Sequence, residues 1–252
     1  MQASDLTTDL DLTEAELRSV VATAQEVKAR PFAFRSVLAG RYLSLLFEKP
    51  SLRTRLTFEL AIKQLGGDCV VVNGPIGERE PLADVARNLD RWTHGIVART
   101  FRQETIENLA RWSSVPVINA LSDRFHPCQA LADVLTLTEH LGSLTGRKVA
   151  FVGDGNNVAH SLMLSCVRLG AHFAIATPKG YEPAADLVAQ AGEFGAATGA
   201  SVRVTHDAEE AVTDADAIYT DVWASMGQEN EAAKRIAEFT PYQVNSNLMR
   251  AA

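Results

Sequence analysis

The sequence predicts an α/β protein built as two doubly wound parallel-sheet domains, with an interdomain active-site cleft. Three observations carry this. Short apolar runs of strand length alternate with amphipathic stretches of helical period along nearly the whole chain, which is the pattern of parallel sheets covered by helices on both faces. The 252 residues suffice for two domains of roughly 120 residues each. A glycine-rich polar stretch, LGSLTGRK at 141–148, separates two such series, so the domains are expected at 1–142 and 143–252. In sheets of this kind ligands bind outside the carboxyl ends of the strands.

The elements follow in order. Thr13 and Glu16 form a capping box ahead of Leu17, Val20, Val21 and Ala24, which recur at helical spacing. RYLSLLF reads as a buried strand, EKPSLRTR as a loop, and a helix is expected from near Thr54. DCVVVN, GIVART and VPVINA are strands, alternating with the helices LADVARNLDRW and TIENLARWS. A long helix through ALADVLTLTEHLG closes the first series. In the second series KVAFVGD, HFAIATP, SVRVTH and AIYTDVW are strands. NVAHSLMLSCVRLG, DLVAQAGEFGAATG, EEAVTDA and ENEAAKRIAEF are the helices between and after them.

Composition narrows the function classes. Hydrophobic residues at 46% and charged residues at 22% are ordinary for a globular chain. A net charge of -7 argues against a nucleic-acid partner, though a local arginine cluster can still hold a small anion. Cys69, Cys128 and Cys166 are too widely spaced for a zinc site, and a disulfide framework is not expected. The N-terminal residues lack the basic start and apolar run of a secretory signal, and no stretch has the length of a membrane span. A soluble cytoplasmic protein without a membrane partner is the expectation.

Two clusters in the first half carry chemistry. Ser51-Leu52-Arg53-Thr54-Arg55 lies between a strand and a helix. There, helix-start N–H groups, hydroxyls and a guanidinium fork can hold phosphate oxygens. Alone, the pentapeptide is equally a solvated basic loop. His126-Pro127-Cys128-Gln129 follows a strand and opens a helix, with Pro127 at home in its first turn. Arg99 ends the strand GIVART. An Arg and a His aimed at one carbonyl oxygen would stabilise the charge that develops on nucleophilic attack, and the amide of Gln129 suits a planar amide-like group. A lone His before Pro is otherwise a helix-start histidine with a satisfied hydrogen bond. In the second half, Gly153-Asp154-Gly155-Asn156-Asn157 is a strand-to-helix turn. A dinucleotide fingerprint would need glycine at Val158, and no acidic residue closes a ribose-binding strand.

Taken together, FEKPSLRTRLTFE, ARTF, VPVINALSDRFHPCQALADVLTL and Asp221-Val222-Trp223-Ala224-Ser225-Met226-Gly227 occur in the order and spacing of the ornithine carbamoyltransferases. The resemblance runs from about Leu12 to Ala252. It implies transfer of the carbamoyl group from carbamoyl phosphate to the side-chain amine of L-ornithine, giving citrulline and phosphate, with no metal or organic cofactor. Ser51, Leu52 (by its N–H), Arg53 and Thr54 would hold the phosphate. Arg99 and His126, with Thr54, would polarise the carbonyl, and Gln129 would hold the carbamoyl amide. Asn157 would grip the amino acid's backbone groups, Asp221 would pair with its α-ammonium, and Ser225 and Met226 would shape the pocket. Arg99, His126 and Asp221 are the catalytic candidates.

Three departures from the family pattern stand out. Leu52 replaces the usual Thr. Pro75, in the loop VNGPIGEREP, stands where ornithine enzymes often have Gln; that loop implies a homotrimer with shared sites, or an assembly of trimers. The family pattern continues beyond YQVN with a His-Cys-Leu-Pro loop and a helix, whereas the sequence ends at Ala252. The expectation from this is weak activity, reduced stability and an uncovered apolar patch on the first domain.

Overall fold

The computed structural model describes residues 4–224 and 229–252. It divides into two compact units, Met1–Leu131 and Ala132–Ala252, each holding one parallel four-stranded sheet.

In the first unit the elements are α1 (Glu14–Ala29), β1 (Tyr42–Phe47), α2 (Leu52–Gln64), β2 (Asp68–Asn73), α3 (Leu82–Trp92), β3 (Ile96–Arg99), α4 (Gln103–Trp112), β4 (Val117–Leu121) and the start of α5 (Pro127–Leu141). The Thr13–Glu16 capping box is present, with the Glu16 N–H donating to Thr13 Oγ1 at 3.2 Å and Thr13 N–H to Glu16 Oε2 at 3.0 Å. Strand order is β2-β1-β3-β4. The pleat of β1 and β3 sends alternate side chains to opposite faces. Leu46, Ile96 and Ala98 pack with Ala86, Ile106 and Leu109 of α3 and α4. Leu45, Phe47 and Val97 pack with Ile62 of α2. Both faces are covered, which is why these strands read as unbroken apolar runs; each fully buried Leu, Ile or Phe contributes about 1.5–3 kcal/mol. The β4 edge is closed by Leu6, whose N–H donates to the Val117 carbonyl at 2.9 Å while its own carbonyl accepts from Asn119 N–H at 2.8 Å. At the other edge, β2 keeps an open side with Val70 and Val72 exposed.

The second unit contains β5 (Lys148–Val152), α6 (Asn157–Arg168), β6 (His172–Ala176), α7 (Ala185–Thr198), β7 (Val202–Thr205), α8 (Ala208–Val212), β8 (Ala217–Tyr219) and α9 (Ala232–Phe239), with strand order β7-β6-β5-β8. Every residue of α6 from Val158 to Arg168 is buried. Ala150, Val152, Val212 and Leu248 form one core cluster, beside Ala174, Ala176 and Ala211.

Three boundaries differ from the sequence reading. α2 begins at Leu52, because Ser51 already caps it. The last strand stops at Tyr219, since Thr220 Oγ1 donates to the Val152 carbonyl at 2.8 Å and the chain then leaves the ladder. A 3-10 turn at Glu229–Glu231 precedes α9. No helix among the described residues is long and apolar enough to cross a membrane.

Candidate active site

Because β1, β3 and β4 are adjacent and parallel, their carboxyl ends lie together at one end of the sheet. Arg99 is the last residue of β3, and Ser51 and His126 lie on the segments that follow β1 and β4.

Ser51 adopts an extended backbone (φ -158°, ψ 117°), and its hydroxyl accepts the Thr54 N–H at 3.3 Å. This is an N-cap, and it leaves the first-turn amides of α2 facing outward with the positive end of the helix dipole behind them. Leu52 is 76% exposed, and since its side chain has no donor only its backbone N–H is available to an anion at this turn. Arg55 is taken up by Glu59, with Nε 2.6 Å from its carboxylate. Arg53 remains as the guanidinium of this motif that faces Arg99 closely enough to depress the latter's pKa.

Arg99 ends β3 and is 9% exposed. The register with β4 slips between Ala98 and Arg99, and a bulge of this kind re-aims the side chain at a strand end. Its Nη1 donates to Thr54 Oγ1 at 3.3 Å. Its buried Nε has no hydrogen-bond partner among the described residues. Burial, and then the charge of Arg53, lower the guanidinium's pKa, though a guanidinium stays protonated.

His126 sits at the start of α5, where its carbonyl accepts the N–H groups of Gln129 at 3.1 Å and Ala130 at 3.2 Å. Burial and the neighbouring Arg99 charge push its pKa down to about 4, so the ring is neutral at pH 7. A buried network fixes the preceding loop. The Ser122 hydroxyl donates to Gln103 Oε1 at 2.6 Å and accepts from Phe125 N–H at 3.1 Å, while Asn119 Nδ2 donates to the Thr7 carbonyl at 2.8 Å. Gln129 is half-buried one turn along α5. Cys128 beside it is no nucleophile, since burial pushes its thiol up to about 12.

Two contributors escaped the sequence reading. Glu48 joins three segments: its N–H donates to the Arg99 carbonyl at 2.9 Å, and its carboxylate accepts from Ile76 N–H at 3.1 Å and Phe101 N–H at 2.9 Å. Lys49 lies with Nζ 4.9 Å from the Phe101 ring centroid, and its pKa is lowered by burial and then by Arg99. Lys49, Arg53 and Arg99 thus form a local positive region on an acidic chain. Only the LysPro step within the motif could have signalled Lys49; Glu48 binds backbone amides, which no residue pattern advertises.

In the second unit, β5 and β8 are neighbours, and their ends carry Asn157 and Asp221. Asn156, rather than Asn157, caps α6, accepting the N–H groups of Val158 at 3.0 Å and Ala159 at 3.3 Å. Asn157 Oδ1 also accepts the Val158 N–H at 3.0 Å. Gly155 is required by close approach: a Cβ there would lie 2.3 Å from Pro183 N. The Glu182–Pro183 backbone therefore packs directly against this turn. Asp221 is half-buried two residues beyond β8, close enough to Asp154 for its charge to oppose ionisation there. Asp154 itself is paired with Arg235, a residue the sequence reading passed over. Ser225 and Met226 lie outside the described residues. No group of three or more His, Cys, Asp or Glu among the described residues could hold a metal ion.

Residues 4–139 match the family described as aspartate/ornithine carbamoyltransferase, carbamoyl-P binding domain, and residues 145–252 match its Asp/Orn binding domain. The chain is 51% identical over 238 residues to an ornithine carbamoyltransferase of Thermus thermophilus, covering 93% of this chain and 76% of that protein. It is 48% identical over 250 residues to one of Thermococcus kodakarensis, covering 96% and 78%. The solved structure of the Pyrococcus furiosus ornithine carbamoyltransferase superposes with a TM-score of 0.95 at 45% identity, covering 99% of this chain and 82% of that one.

Proposed function

From the premise that this chain belongs to the aspartate/ornithine carbamoyltransferase family, we propose that it transfers the carbamoyl group of carbamoyl phosphate to the side-chain amine of L-ornithine, yielding L-citrulline and phosphate. The observation that carries the reading is the meeting of the Ser51-capped start of α2 with Arg99 and the neutral His126 at the carboxyl ends of adjacent strands.

In this reading the phosphate is held by the α2 amides, including that of Leu52, together with Ser51, Arg53 and Thr54. Arg99 Nη1 already donates to Thr54 Oγ1, so both groups are aimed at the same small volume, where they would meet the carbamoyl oxygen. His126 adds a neutral N–H donor rather than a second charge, and Gln129 holds the carbamoyl nitrogen. Preorganised donors of this type stabilise the oxyanion of the tetrahedral intermediate. On the acceptor side, Asp221 pairs with the α-ammonium and Asn157 with the backbone groups, while Ser225 and Met226 contribute to the pocket. The amine must attack uncharged, whereas a side-chain ammonium of this kind titrates near about 10.4. The amine adds to the carbamoyl carbon, forming the C–N bond and the tetrahedral intermediate. Collapse of the intermediate breaks the C–O bond, and the surplus proton of the amine leaves with the phosphate.

We assign carbamoyl phosphate to residues 1–142 and ornithine to 143–252, and place the protein in the cytoplasm as a homotrimer or an assembly of trimers. Leu52, Leu56 and Leu60 recur at helical spacing along α2 with exposures of 76%, 46% and 53%, and Val70 and Val72 are exposed on the open edge strand. Apolar surface of this extent supports self-association.

The test is citrulline formation from carbamoyl phosphate and L-ornithine, with a panel of other amines alongside. Turnover with ornithine that disappears on His126→Ala supports the reading. Turnover only with another amine, or carbamoyl-phosphate binding without transfer, overturns it.

A further inference from the structure

Arg235 lies on α9 and is 6% exposed. Its Nη1 donates to Asp154 Oδ2 at 2.7 Å, across 81 residues of sequence, and to the Trp223 carbonyl at 3.1 Å. Its Nε lies 3.4 Å from a Glu231 carboxylate oxygen. The guanidinium sits 4.8 Å from the Tyr181 ring centroid and 5.9 Å from that of Phe239, and the Trp223 ring lies 6.5 Å from the Phe239 ring.

A buried ion pair is a weak device for stability alone, because desolvation of the two charges offsets their attraction. What a guanidinium does supply is geometry, since its donors project in a fixed planar fork. Here Nη1 alone reaches both the turn after β5, which leads into Asn157, and the segment after β8, which carries Asp221, while Nε is turned to Glu231 on α9 itself. There is an electrostatic reason for a cation at this point as well. Burial pushes the Asp154 carboxyl up and Asp221 adds to that push, while Arg235 works against both. Without the cation, Asp154 would either take up a proton or repel Asp221.

We propose that Arg235 is the positioning residue of the amino-acid site: it locks Trp223, and with it Asp221, to the Asp154 turn. This rests on the reading that Asp221 and Asn157 bind ornithine. Arg235 does not touch the substrate in this proposal; it acts through the segment it holds.

The test uses R235M, R235K and the double variant D154N/R235M, each also in a W92F/W112F background that leaves Trp223 as the sole tryptophan. The expectation for R235M is an ornithine KM raised about 10- to 100-fold, the usual result of an ångström-scale displacement of binding groups. The KM for carbamoyl phosphate should stay within about twofold, as expected of an independent site. Trp223 emission should shift to the red, and R235K should recover part of both effects. The double variant, which removes the buried carboxylate charge as well, should keep its fold and still show the raised ornithine KM. An unchanged Trp223 emission in R235M and the double variant would overturn the proposal. So would parallel loss of both substrates' parameters in proportion to lost folded protein. Failure of the wild-type chain to make citrulline would sink the functional reading instead, and Trp223 emission would still decide whether Arg235 holds the segment.

Discussion

Arg99 Nη1 donates to Thr54 Oγ1 at 3.3 Å, joining the end of β3 to the first turn of α2 across 45 residues. The bond fixes two donors on one point before any ligand arrives. The Arg99 carbonyl accepts the Glu48 N–H at 2.9 Å on the opposite side, so the residue is held by backbone and side chain alike. Arg99→Lys would keep the charge and lose the fork. We expect kcat to fall about 100- to 1000-fold, the usual loss when an oxyanion donor is removed. Thr54→Val should lose less, because it removes a neutral hydroxyl and leaves the Arg99 charge in place. Single-turnover citrulline formation measures both.

His126 gives a prediction in pH. Its folded pKa of about 4 lies below the ordinary 6.5, so the unfolded chain binds the extra proton between those values. Above about pH 6.5 its contribution to stability is flat. As pH falls from there towards 4, His126 should subtract up to about 2–3 kcal/mol. Urea unfolding of wild type and His126→Asn across this range should differ by that slope. For the same reason kcat/KM should show no inflection from His126 between pH 6 and 8; an inflection near 6.5 that vanishes in the variant would refute the neutral-donor role.

Much of this was legible in the sequence where local chemistry decides the outcome. The Thr13 capping box, the Ser51 cap and the apolar strand runs each follow from residues within one turn or one strand of each other. The site residues at or after the ends of β1, β3 and β4 were legible because parallel topology brings those ends together. The Arg235–Asp154 pair was not, since its two members lie 81 residues apart and their meeting depends on where α9 docks; only the i, i+4 spacing of Glu231 and Arg235 was local. Gly155 was legible only as part of a strand-to-helix turn, because the Tyr181–Pro183 backbone that it admits arrives from a segment distant in sequence. The extension of the last strand through DVW failed because an apolar, β-branched run cannot report that Thr220 has already turned onto Val152.

Asp90 lies in the last turn of α3 with its carboxylate accepting four bonds from the α4–β4 loop: Ser114 N–H at 2.7 Å, Ser114 Oγ at 2.7 Å, Val115 N–H at 2.9 Å and Ser113 Oγ at 2.9 Å. The Ser114 hydroxyl leads in holding its pKa down to about 2. A depressed carboxylate stabilises above its unfolded value, near about 4, and that stability is lost as pH falls towards 2. Asp90→Ala should cost about 1–2 kcal/mol at pH 7, discounted for its partial exposure, and less below about pH 2, where the charge-dependent part is lost. Thermal melts at pH 7 and in acid would show whether the gap narrows.

Gly155→Ala tests the close approach in the second unit. The new Cβ would meet Pro183 N at 2.3 Å and Glu182 C at 2.5 Å, and backbone atoms cannot swing aside as a flexible side chain can. A loss of roughly 2–3 kcal/mol is expected, typical of overpacking against a rigid neighbour. Because the 181–183 segment also carries Tyr181, which packs on Phe239 at 4.8 Å, the variant should raise hydrogen exchange in α9 as well as lower the melting temperature. Wild-type exchange in α9 would contradict this.

The exposed stripe of α2 supplies the last prediction. Leu56 and Leu60 lie one turn apart, 46% and 53% exposed, on the helix whose first turn carries Ser51, Arg53 and Thr54. If copies of the chain associate through this face, assembly also steadies the turn that would hold the phosphate. Leu60→Asp places a charge that association would have to desolvate, a cost of several kcal/mol for an unpaired ion. Sedimentation should show a trimer for wild type and a shift towards monomer for the variant. The variant's KM for carbamoyl phosphate should rise with dilution, as the monomer fraction grows. A monomeric wild type would end this argument, and a variant that stays trimeric would move the interface to another face.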